Sequence, residues 1–205
     1  MAAYILVILV SYLIGSISFS VIFTKKIAGF DVREKGSKNA GSTNVLRTAG
    51  KGIAALTLVC DILKGIIAVL IAKGIGELDN VEHIEYLIQV AAIAVVVGHT
   101  FPIFFKFKGG KGVATSLGII LLINWQIGLI CLVFGVLLIV LSRMVSLGSV
   151  SAAILLPVLT MFITDNYILA EGDYRIWGIV LGAFVCWNHR TNIKRLLKGE
   201  ENKLW

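Results

Sequence analysis

The sequence predicts an all-α integral membrane protein with about seven transmembrane helices, and three observations predict it. Hydrophobic residues make up 58% of the 205 and charged residues only 15%, against about a quarter charged in an ordinary soluble domain. The apolar residues collect in runs of bilayer-spanning scale, and the surplus apolar surface has lipid as its natural solvent. The charges also segregate, with Lys and Arg filling some loops and Asp and Glu others. No linker or low-complexity tract divides the chain, so residues 1–205 read as one multi-pass domain. A net charge of +7 would suggest nucleic acid in a soluble protein. Here the cations sit between apolar segments, where topology and small anions account for them, and nucleic acid is excluded as a partner.

The first span, 3–24, has no Lys or Arg before it, while Lys25 and Lys26 follow it. That order is the reverse of a secretory signal and suits a retained helix whose N-terminus lies outside the cytoplasm. Further apolar runs predict spans at 53–73, 86–105, 113–124, 127–142, 150–164 and 176–189. The stretch 113–142 is interrupted only at Asn124-Trp125-Gln126 and reads either as one long helix or as two. Charge decides between them. With two helices, Lys25 to Lys51, Lys106 to Lys111, Arg143 and the Arg190 to Lys203 tail share one side. The acidic loops Glu77–Glu85 and Asp165–Asp173 then fall on the other, with Lys73 and Arg175 as its only cations. One helix would export the basic tail. Seven helices, with a cytosolic C-terminus, follow.

This topology puts three polar segments on the cytosolic face: 36–51, 98–115 and 188–201. The first carries Ser37, Asn39, Ser42, Thr43, Asn44 and Thr48 beside Lys38, Arg47 and Lys51. Hydroxyl, amide and guanidinium groups suit a phosphomonoester and a polyol, and Arg47 is able to grip phosphate bidentately. Ser42 or Thr43 is also expected to cap the second membrane helix. The second segment surrounds Lys111 with Gly109, Gly110 and Gly112. Glycines let backbone amides approach an anion closely, and a helix starting near Gly112 would turn its positive end toward it. It is not a Walker A loop, because Phe105 stands at the first glycine position and Gly112 follows Lys111. His99 closes the third span beside Pro102. In the third segment, i, i+3 spacing puts His189 and Asn192 on one helical face, with Arg195 or Ile193 one turn further.

Elsewhere, Asp61 and Lys64 stand mid-span at i, i+3, which reads as an internal ion pair. Ser146, Ser149 and Ser151 follow Arg143 as caps or phosphate donors. His83 reads as solvated. Cys60, Cys131 and Cys186 lie inside apolar runs without metal-ligand spacing and read as small buried hydrophobes. No histidine begins an HxxxxD motif, since Phe104 and Lys194 stand five residues after His99 and His189. There is no DxxDGxxAR run and no serine nucleophile elbow. Carboxylates are sparse in the three segments, so neither two-carboxylate catalysis nor a metal or other cofactor is expected.

The segments Gly36-Ser-Lys-Asn-Ala-Gly-Ser-Thr-Asn-Val-Leu-Arg47, Gly98-His-Thr-Phe-Pro102 with Phe107-Lys-Gly-Gly-Lys-Gly-Val-Ala-Thr115, and His189-Arg-Thr-Asn192-Ile-Lys-Arg195-Leu-Leu-Lys-Gly199-Glu-Glu201 resemble the signature of the bacterial PlsY family. That family comprises acyl-phosphate-dependent glycerol-3-phosphate acyltransferases. Ser42 departs from it, standing where the family often has Ala. The resemblance implies acyl transfer from acyl phosphate to the 1-hydroxyl of glycerol 3-phosphate, giving lysophosphatidate and phosphate. It implies a seven-helix fold in the bacterial cell membrane, with a cytosolic active site. It makes Ser37, Arg47, Lys111, His189 and Asn192 catalytic. It assigns substrate or phosphate binding to Lys38, Asn39, Gly41, Thr43, Asn44, His99, Gly109, Gly110, Gly112, Thr115, Ser146, Ser149, Arg195 and Glu201. The partners implied are acyl phosphate, glycerol 3-phosphate and membrane lipid. A transporter of phosphorylated metabolites is the rival reading. It would need access from both faces, and the acidic outer loops offer no matching cationic site.

Overall fold

The computed structural model describes residues 1–204, and among them every regular element is helical. Two compact units divide the chain, Met1–Ile119 and the remainder from Ile120. Stretches Ala2–Ala28, Lys51–Leu78, Ile84–Phe105, Trp125–Ser142 and Val145–Phe162 are long and apolar enough to cross a bilayer. Two further apolar helices, Val113–Ile123 and Arg175–Asn188, are shorter.

In the first unit, α1 (Ala2–Gly15) breaks at Ser16–Ser18 and resumes as α2 (Phe19–Phe23), which widens into a π-helical turn over Thr24–Ala28. The 28-residue α4 (Lys51–Leu78) and α5 (Ile84–Thr100) complete its long helices. Helix α1 packs hard on α5 because both carry glycine at the contact. A Cβ on Gly15 would strike the Val95 backbone, and one on Gly98 would strike the Tyr12 carbonyl. Lipid supplies no hydrophobic drive between helices, so such close backbone approach is what holds them. Val7, Ala72, Leu87 and Ala91 form the core at one end. Val21, Val32, Ala40, Val45 and Ala54 form another beneath the loops.

The short helix α3 (Ser42–Ala49) takes its N-cap from Gly41 without a side-chain bond. Ser42 and Thr43 therefore lie inside its first turn, and α4 starts only at Lys51, after Gly50 turns the chain at φ 90°. The expectation that either residue caps the second membrane helix is corrected accordingly. The long helix also runs past the expected 73, continuing through Gly74 and Gly76 to Leu78.

Helix α6 (Val113–Ile123) crosses the boundary between the units and stops at Asn124, and α7 (Trp125–Ser142) follows. Asn124 is extended there, and its Oδ1 accepts the Ile127 amide at 3.1 Å. Its Nδ2 donates to the Asp165 carbonyl at 2.8 Å. The polar interruption does break the run 113–142 into two helices. In the second unit, α8 (Val145–Phe162) begins before the expected 150, and within it the Ser149 hydroxyl donates back to the Val145 carbonyl at 2.9 Å. Pro157 leaves the Ala153 carbonyl without its helical donor, and Gly182 of α9 (Arg175–Asn188) packs against that oxygen. A final short helix, α10 (Arg190–Leu197), follows directly. The three cysteines are free thiols, Cys131 buried and the others half-buried.

Candidate active site

The predicted residues fall into two clusters, one in each unit. In the first, the loops 29–41 and 101–112 are tied together by backbone groups. The Ala40 amide donates to the Gly109 carbonyl at 3.3 Å, and Asn39 Nδ2 reaches the same oxygen at 3.4 Å. Asn44 acts as the hub of the first loop. Its Oδ1 accepts the Ser37 amide at 2.9 Å, while Nδ2 faces the carbonyls of Val32, Lys35 and Asn39, each at 3.0 Å. It is buried and its amide is engaged in shaping the loop around Ser37. Ser37, Lys38 and Arg47 are left at the surface, and Lys111 is half-buried.

The glycines serve a different purpose from the one read in the sequence. The Gly109 and Gly110 amides donate to the carbonyls of Thr100 and His99, both at 3.1 Å, so neither is available to an anion in this conformation. A Cβ on Gly109 would collide with the His99 and Thr100 carbonyls, and one on Gly110 with the His99 ring. These glycines let the loop fold back across the end of α5. Gly112 carries φ 89° and turns the chain into α6, where the Thr115 and Ser116 hydroxyls are buried without a hydrogen-bond partner.

Asp61 and Lys64 form the expected ion pair at 2.8 Å, and His99 joins it with Nδ1 at 3.5 Å from the same carboxylate oxygen. All three are buried, at 2%, 3% and 7% exposure. Lys64 also donates to the Ile17 carbonyl at 2.9 Å, in the break between α1 and α2. His99 is thus held between Asp61 and Gly110.

Three residues of this cluster, Arg33, Asp31 and Ser20, were not read from the sequence. Arg33 makes bonds of 2.9 and 2.7 Å to Asp31 and donates to the Phe105 carbonyl at 2.7 Å, clamping one loop to the other. Hydrogen bonding from Arg33 overrides the upward pull of burial and holds the Asp31 carboxyl well below the usual carboxylate range, with Lys25 adding at 3.2 Å. Ser20 contributes as well, donating to the Ala40 carbonyl at 2.8 Å.

In the second unit the predicted helical face exists and is organised by one carboxylate. Asn192 Nδ2 donates to Glu201 Oε1 and Arg195 Nε to Oε2, each at 2.9 Å. Burial favours the neutral acid, but these bonds, the Arg195 charge and the nearby Ser146 hydroxyl together hold Glu201 below its ordinary value. Gly199, at φ 71°, turns the chain after α10 so that Glu201 comes back to its partners. Glu201 therefore reads as a clamp. The His189 ring is buried, with Nδ1 at 2.8 Å from the Val185 carbonyl. A carbonyl only accepts, so Nδ1 carries a proton in this contact. Ser149 is engaged within its own helix.

Helices long enough to span a bilayer, with buried polar and charged groups where they meet cationic loops, define a multi-pass membrane protein built to handle polar, anionic groups. The chain belongs to the glycerol-3-phosphate acyltransferase family, whose model matches residues 5–199. It is 45% identical over 204 residues to a glycerol-3-phosphate acyltransferase of Clostridioides difficile, covering 98% of this chain and 96% of that one. A Prochlorococcus marinus protein of the same description is 43% identical, with 98% and 97% covered. Among solved structures, the glycerol 3-phosphate form of PlsY, an integral membrane glycerol 3-phosphate acyltransferase, superposes with TM-score 0.85 at 34% identity. It is covered to 94%, and this chain to 98%. Its lysophosphatidic acid form gives 0.81 at 33%. The resemblance to PlsY read from the three motifs holds over the whole chain, which is a membrane acyltransferase of phospholipid biosynthesis.

Proposed function

We propose that the chain transfers an acyl group from acyl phosphate to the 1-hydroxyl of glycerol 3-phosphate, releasing lysophosphatidate and inorganic phosphate. The carrying observation is the similarity to a structure known with glycerol 3-phosphate and with lysophosphatidic acid. Those two ligands differ by one acyl group and so bracket an acyl transfer. Acyl phosphate as donor is supported by the number of cations in the motifs. Lys38, Arg47 and Lys111 exceed what one phosphomonoester needs and suit two phosphorylated reactants that repel each other.

In this reading the glycerol hydroxyl oxygen attacks the acyl carbonyl carbon, the bond from that carbon to the phosphate oxygen breaks, and phosphate leaves carrying the hydroxyl proton. Acyl phosphate is an activated mixed anhydride, and the motifs hold no carboxylate placed as a base. His189 orients the glycerol phosphate through its ring, and Asn192 assists. The competing assignment makes Nε2 the general base. His189→Gln separates them, because near-full turnover removes the histidine base.

Seven crossings, with the N-terminus outside and the motifs facing the cytosol of a bacterial inner membrane, remain the arrangement we infer from charge. Helix α6 alone, at 11 residues, spans about 16 Å of a roughly 30 Å hydrocarbon core, so it crosses only with its flanking turns. Reporter fusions at the 36–51 and 188–201 segments test this, and opposite sidedness would dismantle it. The decisive experiment is a turnover assay of purified protein with glycerol 3-phosphate and three donors: acyl phosphate, acyl-CoA and acyl-carrier protein. Lysophosphatidate is expected from acyl phosphate alone, and turnover from another donor would replace the donor assignment.

A further inference from the structure

We infer that Asp61 and His99 form a positioning pair that sets the Gly110–Lys111 turn, so that they serve the reaction through the Lys111 ammonium rather than by touching substrate. The inference rests on the reading of Lys111 as a phosphate-holding cation.

Ionisable side chains inside an apolar helix are expensive and persist where they do something. Here three of them, from two helices, meet at one point: Asp61 and Lys64 of α4 and His99 at the end of α5. An ion pair alone would be complete with Asp61 and Lys64, which already neutralise each other. The third member points away from neutralisation and toward the loop. His99 presents Nδ1 to Asp61 at 3.5 Å and its Nε2 edge to Gly110, so closely that no Cβ fits on that residue. The backbone repeats the contact, since the His99 carbonyl accepts the Gly110 amide at 3.1 Å. Ring and carbonyl of one residue thus seat the residue immediately before Lys111. Lys64 fixes the other side by donating to the Ile17 carbonyl, in the helix break whose Ser16 hydroxyl accepts the Ile103 amide at 3.3 Å. The turn carrying Lys111 is thereby referenced to the rigid interior of the first unit. Displacing a binding group by about 1 Å is enough to lower turnover on the order of 100-fold.

The test is a double-mutant cycle between His99 and Lys111, because residues acting through one another are not additive. His99→Leu is expected to lower kcat/KM at least tenfold with Lys111 present and less than twofold in Lys111→Ala. His99→Asn keeps a side-chain donor toward Asp61 and should recover much of the loss. Where Lys111→Ala falls below detection in turnover, the same cycle is read from glycerol 3-phosphate binding by calorimetry. Asp61→Asn alone strands a buried Lys64, so Asp61→Asn with Lys64→Met is the folded comparison. It also gives up the Lys64–Ile17 bond, so it should lose at least as much turnover as His99→Leu while retaining monodisperse, thermally cooperative protein. Equal losses with and without Lys111, or no rescue by His99→Asn, would overturn the inference. Full activity of Lys111→Ala would instead remove the reading of Lys111 on which it rests.

Discussion

The two clusters are built on opposite plans. In the first unit the loops are held by backbone groups, glycines without room for a methyl, and an Arg33–Asp31 clamp directed at loop carbonyls. The charged groups Lys38 and Arg47 stay at the surface of that frame. In the second unit one buried carboxylate, Glu201, gathers the side chains of Asn192 and Arg195 directly. Shape in the first cluster therefore depends on steric fit around already paired charges, and in the second on one carboxylate. The first should break under a methyl added at Gly109 or Gly110. The second should tolerate added bulk in its turn and fail when the charge is removed.

The sharpest way to break this contrast is Gly110→Ala. One methyl must displace the His99 ring, and the turn before Lys111 moves with it. We expect kcat/KM to fall on the order of 100-fold, measured by lysophosphatidate production, with the protein still inserted in the membrane. Near-normal turnover would mean that the turn is looser than its packing implies.

Next in size is Glu201→Gln. It keeps the shape and removes the charge that Asn192 and Arg195 both address. Hydrogen bonds to a charged group contribute about 1.5–3 kcal/mol, so activity should drop about tenfold and thermal stability should fall. An unchanged melting temperature would show that the tail is held by something other than this carboxylate.

Acid should reproduce that variant. Glu201 is held below its ordinary value in the folded protein. A depressed acid contributes stability that is fully present above its unfolded range, near 4.3, and lost as pH falls through the lower folded value. Thermal melts of the wild type should decline through that acidic window, and the Glu201→Gln variant should lack this component. Parallel curves for the two would sink the assignment.

The sequence showed some of this and could not show the rest. The polar run at Asn124 alone left one helix or two open, and the sidedness of the loop charges decided for a break, which the structure makes with the Asn124 side chain as the cap. The Asp61–Lys64 pair was readable because i, i+3 partners share a face. His99 as its third member was not, since that contact joins helices 38 residues apart in sequence. Arg33 and Asp31 escaped notice for the same reason: an Arg and an Asp two residues apart look like a solvated loop until the Phe105 carbonyl appears beside them. The glycines of the second motif were recognised as permitting close approach, but what approaches is the end of α5. Composition reveals that a backbone must pass near something, and only the fold says what.

The smallest expected effect is at Gly199, and it completes the comparison of glycines. Nothing lies within 4 Å of where its Cβ would be, yet its φ is 71°. Gly199→Ala therefore meets no clash and costs only the left-handed strain, about 1–2 kcal/mol. Gly199→Asn should cost less, because asparagine tolerates this region. Both variants should lower the melting temperature by a few degrees and leave turnover within about threefold, because Glu201 still returns to Asn192 and Arg195 once the turn is made. If Gly199→Ala matched Glu201→Gln in lost activity, the second cluster would be as sterically set as the first, and the distinction between the two plans would fall.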